Sequence, residues 1–198
     1  MLSRGIGTGG NFILDPIIRG IALTRIHPNV LTALGLVINI GAAVLFAGGH
    51  FLYGGLVVMG ASIFDFSDGK VARITNRATP FGAFFDSVID RYSDLALYMG
   101  LLVHYARIDS IFYVVLVAVV MSGSVMVSYT RSRAECILPS CKVGFLERPE
   151  RVVLIIIGSL ANRMAPVLWV IAVLSNITVI HRCVYTWQEM QKDRISAS

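Results

Sequence analysis

The chain has 198 residues, of which 56 % are hydrophobic and only 15 % charged, and its mean hydropathy is +0.73. A soluble domain of this size carries roughly a quarter charged residues, so composition excludes an ordinary water-soluble enzyme. One membrane domain spanning residues 1–198 is expected.

Met1–Gly10 is Gly-rich and lacks an apolar core before a small-residue site, so no cleavable signal is expected. Residues 1–28 read as a cytoplasmic or interfacial segment. Within it, Phe12–Leu23 is apolar but interrupted by Asp15, Pro16 and Arg19. This pattern predicts an amphipathic helix lying on the membrane surface, with an ordinary lead-in helix as the alternative. Six apolar runs follow: Val30–Ala47, Leu52–Phe64, Phe81–Val103, Ile111–Tyr129, Val152–Leu160 and Pro166–Val184. A helix needs about 20 residues to cross a bilayer. The second and fifth runs reach that length only if Asp65–Arg73 and Glu147–Arg151 continue their helices. The predicted fold is an all-α polytopic membrane protein, six transmembrane helices plus the N-terminal interfacial one. Gln188–Ser198 is a polar tail with no readable role.

Alternating loop assignment puts fourteen of the seventeen Lys and Arg on one side and two, Arg107 and Arg163, on the other; Arg91 falls inside a span. The positive-inside rule then places both termini in the cytoplasm, at a cell membrane crossed several times. Membrane lipids are expected partners, some of these arginines serving anionic headgroups. No nucleic-acid partner is expected. Cys136, Cys141 and Cys183 make neither a disulfide framework nor a plausible zinc site.

The informative stretch runs from Asp65 to Asp94. In FDFSDGKVAR, Asp65 and Asp68 are three apart, with Ala72 and Arg73 a turn further on. In FGAFFDSVIDRYSD, Gly82, Asp86 and Asp90 recur every four residues, with Asp94 one turn beyond. Helical periodicity puts each set on one face, and two adjacent antiparallel helices would gather the carboxylates near the cytoplasmic surface. A single aspartate in a span is often only a packing hydrogen bond. Several in register are costly, at about 2.5–3.5 kcal/mol each at the bilayer centre, and require cations. Oxygen-only ligands select hard ions such as magnesium, manganese or calcium, whose usual work is phosphate chemistry. Gly69, Ala72 and Gly82 remove bulk beside the acids, for a ligand or for close helix packing.

Asp65-x2-Asp68-Gly69-x2-Ala72-Arg73-x8-Gly82-x3-Asp86-x3-Asp90 resembles, without gap or substitution, the signature of the CDP-alcohol phosphotransferase family. The resemblance implies a six-helix homodimer with its site open to the cytoplasm. It implies two Mg2+ or Mn2+ ions on Asp65, Asp68 and Asp86. Asp90 would complete the metal site and act as general base on the acceptor hydroxyl. Gly69, Ala72, Arg73 and Gly82 would line the CDP pocket. Asn29 and Thr32 match the family's lead-in, or form a plain helix start.

A second, basic feature comprises Ser128-Tyr-Thr-Arg131-Ser-Arg133-Ala-Glu135, Gly144-x2-Glu147-Arg148-Pro-Glu150-Arg151 and Arg182. Converging guanidinium forks suit a phosphate-bearing ligand; ion pairing with Glu135, Glu147 and Glu150 is the simpler explanation for any single arginine. These segments resemble the phosphatidylinositol-phosphate synthase branch, in which Ser128, Arg131, Arg133, Arg148 and Arg182 would bind the acceptor's phosphate. The resemblance implies a CDP-diacylglycerol-type donor and a phosphorylated polyol acceptor, inositol 1-phosphate foremost. Transfer to glycerol 3-phosphate is the alternative within the class, and a carboxylate-lined ion transporter the alternative outside it.

Overall fold

The computed structural model describes residues 27–74 and 78–196, with the side chains of 63, 64, 66–74 and 193–196 excepted. The expected interfacial helix Phe12–Leu23 lies outside the described residues. Six helices follow in order: α1 Pro28–Ala47, α2 Phe51–Ile74, α3 Pro80–Arg107, α4 Ile111–Ala134, α5 Arg148–Leu160 and α6 Met164–Ser196.

Local chemistry sets the boundaries. His27 Nδ1 accepts the Asn29 N–H at 3.3 Å, and Pro28 occupies the first turn of α1, where a missing N–H costs nothing. Thr79 Oγ1 accepts the Gly82 N–H at 3.0 Å and Pro80 opens α3 in the same way. The Glu147 N–H donates to Glu150 Oε2 at 3.1 Å, so α5 starts on half of a reciprocal acidic cap. Asp109 and Asn162 adopt the left-handed conformation in the tight turns before α4 and α6. Asp and Asn are the non-glycine residues that tolerate it best.

Short connections make α1–α2, α3–α4 and α5–α6 antiparallel neighbours. Further contacts join α1 to α3, α2 to α5 and α4 to α6. The buried core draws Phe46, Val58, Leu97, Leu101, Val117, Val120, Ile155, Leu168 and Ile171 from all six helices. At the tightest crossing a Cβ on Gly100 would run into the Ala43 carbonyl, so α1 and α3 touch backbone to backbone. Outward faces are also apolar: Val44, Ile111 and Ile180 are 67 %, 75 % and 63 % exposed. Hydrophobic residues inside and outside together describe helices whose solvent is lipid.

Among the described residues three helices, Pro28–Ala47, Ile111–Ala134 and Met164–Lys192, are long and apolar enough to cross a membrane, and Phe51–Ser62 is a shorter apolar stretch. The remaining expected spans differ for physical reasons. α2 and α3 carry the aspartates, and α5 has 13 residues, about 20 Å of rise. As the sequence suggested, Asp65–Arg73 does extend α2, and α5 does begin within Glu147–Arg151.

The long connection 135–147 is folded against the bundle end. Thr178 Oγ1 accepts the N–H groups of Phe145 (3.1 Å) and Leu146 (3.2 Å). Arg182 Nε donates to the Val143 carbonyl at 2.8 Å. Gly144 takes φ +134 with its α-carbon against Thr178, a combination that excludes a side chain. Glu135 Oε1 accepts from Arg131 Nε at 3.0 Å and from the Cys141 N–H at 3.4 Å. Desolvation pushes the Glu135 carboxyl up, but these two hydrogen bonds and the charges of Arg131 and Arg182 outweigh it and hold it below the usual range.

Two outcomes are expected. Gly100→Leu should lower the thermal midpoint in detergent by an amount equivalent to roughly 1–3 kcal/mol or more, whereas Gly60→Leu, whose Cβ would meet nothing within 4 Å, should change it little. Because Glu135 titrates below its unfolded value, its clasp is fully formed above that value and released as pH falls through the folded one. Hydrogen exchange across 136–146 should therefore quicken under acid conditions, and Glu135→Gln should show the quicker exchange already at neutral pH.

Candidate active site

Asp65 on α2 faces Asp86, Asp90 and Asp94 on α3 because α1 packs against both helices. A Cβ on Gly35 of α1 would lie 2.5 Å from Asp65 Oδ1, so α1 reserves room for that carboxylate. The first residue of α5 supplies the cation. Arg148 Nη2 lies 2.8 Å from Asp65 Oδ2, Nη1 lies 2.8 Å from Asp90 Oδ1, and Nε lies 3.4 Å from Asp94 Oδ1. One planar guanidinium therefore joins three acids from two helices. Asp86, a turn before Asp90, is near enough for its charge to interact with Arg148, Asp65 and Arg91.

Asp68, Gly69, Ala72 and Arg73 lie on the helical backbone of α2, and their side chains are outside the described set. Among the described residues no three Asp, Glu, His or Cys side chains form a ready metal cluster. Asp65 and Asp90 nonetheless both bond a single cation. Their donor set is oxygen alone, which fits a hard divalent ion. Arg148 puts a basic side chain on the acidic face. It arrives from a helix 83 residues further along the chain, a distance over which helical periodicity carries no information.

Beside the acids opens a cleft of about 170 Å³. Ser128 and Arg131 from α4, Arg148 from α5 and Arg182 from α6 line it. Arg133 does not line it and is exposed. Two residues along a helix is about 200° of rotation, which turns Arg133 away from the face that Arg131 occupies. Arg91, Arg151, Asp94 and Glu147 also line the cleft and were not assigned from sequence. Arg151 follows Arg148 by three residues and Asp94 follows Asp90 by four, so helical spacing could have added both.

Five arginines face three carboxylates around this cleft. Glu147 Oε1 accepts from Arg131 Nη1 at 3.2 Å and from Arg182 Nη2 at 2.9 Å. Arg182 is 1 % exposed; its Nη1 also donates to the Val127 carbonyl at 2.5 Å. Arg91 donates to the Ser87 carbonyl one turn back. On the other side of the aspartates, a Cβ on Gly82 would be 3.4 Å from Asn29 Oδ1, so Gly82 and Asn29 are neighbours across α1 and α3. Thr32 is buried, and its hydroxyl donates to the Pro28 carbonyl at 3.2 Å.

Comparison with known proteins finds relatives along most of the chain. The family profile for CDP-alcohol phosphatidyltransferase matches residues 25–188. An archaetidylinositol phosphate synthase of Methanothermobacter thermautotrophicus is 33 % identical over 184 residues, covering 90 % of each chain. One from Pyrococcus horikoshii is 36 % identical over 171 residues, covering 85 % of this chain and 88 % of the relative. The Mycobacterium tuberculosis phosphatidylinositol phosphate synthase with CDP-DAG bound superposes with a TM-score of 0.81 at 32 % identity, covering 88 % of this chain and 94 % of that one. Its complex with manganese and citrate gives a TM-score of 0.79 over 88 % of each chain. With its acidic signature, its helical bundle and these matches, the chain belongs to the CDP-alcohol phosphatidyltransferase family.

Proposed function

We propose that this protein transfers a phosphatidyl group, diacyl- or dialkyl-glycerol phosphate, from a CDP-lipid to a phosphorylated polyol, inositol 1-phosphate, releasing CMP. One observation carries the reading: Asp90 belongs to the Arg148-bridged acid cluster and also lines the arginine cleft. An acceptor whose phosphate rests among the arginines therefore has its hydroxyl beside a carboxylate. The relatives named as inositol phosphate synthases support the choice of acceptor, and the neighbour with CDP-DAG bound supports the donor.

Each residue has work that follows from its chemistry. Asn29, Thr32, Gly69, Ala72, Arg73 and Gly82 form the side that receives the cytidine diphosphate. Two Mg2+ or Mn2+ ions held by Asp65, Asp68, Asp86 and Asp90 would neutralise the pyrophosphate and stabilise CMP as a leaving group. The manganese-bound neighbour supports ion use of this kind. Ser128, Arg131, Arg148 and Arg182 hold the acceptor's phosphate by charge-assisted hydrogen bonds, with Arg133 adding positive charge outside. Asp90 takes the proton of the acceptor hydroxyl as its oxygen bonds to the lipid-side phosphorus; the bond from that phosphorus to the CMP oxygen breaks.

The same reading includes six membrane spans, an interfacial helix at Phe12–Leu23, a homodimer, and termini and site facing the cytoplasm of a cell membrane. The charge asymmetry along the sequence supports the orientation.

Incubating purified protein with CDP-diacylglycerol, Mg2+ and either inositol 1-phosphate or glycerol 3-phosphate should release CMP with the first acceptor. Release with glycerol 3-phosphate alone would reassign the acceptor, and ion flux in vesicles without CMP release would favour a transporter. Asp90→Asn should lower kcat by about 10²–10⁴-fold with CDP-lipid affinity little changed; undiminished turnover would remove Asp90 from the mechanism. Arg148→Ala removes a competing cation from the acids, so Mn2+ binding measured by electron paramagnetic resonance should tighten about tenfold.

A further inference from the structure

Asp94 stands one turn beyond Asp90 on α3 and lies outside the eight-residue signature. Each of its oxygens serves a different arginine: Oδ1 accepts from Arg148 Nε at 3.4 Å and Oδ2 from Arg151 Nη2 at 2.7 Å. The three side chains form a graded stack. Arg151 is 2 % exposed, Asp94 8 % and Arg148 24 %, the last opening on the cleft. Below them, Tyr98 follows Asp94 by a turn and is fully buried, and its hydroxyl accepts from Ser124 Oγ at 3.3 Å.

Stability alone does not explain the Asp94–Arg151 pair. Arg151 Nε and Nη1 are buried without a hydrogen-bond partner, an arrangement costlier than an apolar pair of similar volume. Arg148, by contrast, is half-buried and multiply engaged. A guanidinium has five N–H donors. Three of those on Arg148 meet Asp65, Asp90 and Asp94, and the two that remain are on Nη1 and Nη2, the cleft end of the group.

We infer that Asp94, fixed from beneath by Arg151, is a positioning residue that holds Arg148 through Nε so that its terminal nitrogens point at the acceptor's phosphate. This rests on the acceptor reading above and deepens it. A long, rotamer-rich side chain that binds an anion gains affinity when its geometry is set beforehand. Arg151 supplies the buried countercharge that holds Asp94 still, and Asp94 converts that into a fixed orientation for Arg148. Arg148 is then pinned at Nε while its other end serves the carboxylates or the anion.

The test uses full-length protein in detergent, with inorganic phosphate as the probe and no added metal. Asp94→Asn keeps the shape but leaves one acceptor oxygen for two arginines. Because that variant strands a buried charge, the pair Asp94→Leu with Arg151→Met removes both members together, which folding tolerates better. Arg107→Ala, at the opposite end of the bundle, serves as a control for general destabilisation. Phosphate should raise the thermal midpoint of the parent protein, and its apparent affinity should fall about tenfold in both Asp94 variants, the size expected for one lost charge-assisted hydrogen bond. Mn2+ affinity should stay within about twofold, unlike that of a ligand variant, and the acceptor KM should rise with kcat and donor KM nearly constant. Phosphate affinity unchanged in both variants, or reduced equally in the Arg107 control, would overturn the inference. A parent protein that ignores phosphate would overturn it as well. If the parent releases CMP with inositol 1-phosphate but the variants keep its acceptor KM, the positioning role alone fails and the function stands.

Discussion

Arg148 ties the site together with one flat cation. Its three kinds of nitrogen reach Asp65 on α2 and Asp90 and Asp94 on α3 from the start of α5. Carboxylates so close repel one another and are expensive in lipid; a guanidinium fork satisfies several at once with fixed geometry. At this end of the bundle that contact joins α2, α3 and α5, and the Asp94–Arg151 pair joins α3 to α5 beneath it. The cleft beside the acids exists because the same residue is also its wall.

Helical spacing made the acid column legible from sequence. Gly82, Asp86, Asp90 and Asp94 recur every four residues, and α3 presents them as one stripe because 3.6 residues make a turn. Pro28 and Pro80, each after a side chain that accepts an N–H, fixed the starts of α1 and α3. What spacing could not supply was pairing over distance. Gly35 makes room for Asp65 from another helix, and Arg148 arrives from the far side of a long connection. The resemblance grouped Arg131 with Arg133, but rotation along α4 separates them. The rule that would have done so is the one that grouped the aspartates.

Membrane crossing was legible unevenly, for a related reason. α1, α4 and the first 29 residues of α6 each contain a long window apolar enough to span. α2 and α3 trade apolarity for the acid column at one end, while their other ends remain lipid-compatible: Leu52, Tyr53, Met99 and Val103 are exposed hydrophobics. Function and span compete for the same residues, so the helices that carry the chemistry are those whose hydropathy falls short. Gathering the acids at one end limits the desolvation they suffer and opens the site to water.

An arginine cleft faces the complementary difficulty when no anion fills it. Its positive charges would repel, and here carboxylates stand in. Glu147 accepts from Arg131 and Arg182, Glu135 from Arg131, and Asp94 from Arg148 and Arg151. The stand-ins differ in burial. Glu147 and Glu135 are 43 % and 37 % exposed at the side chain, where water competes for every bond, whereas Asp94 is 8 % exposed. Exposed pairs are weak and exchangeable, so a phosphate can displace Glu147 from Arg131 at little cost. A buried pair is strongly coupled and stays put. The cleft thus combines a yielding rim with a fixed floor, which is what the proposed binding and release of a charged acceptor would require.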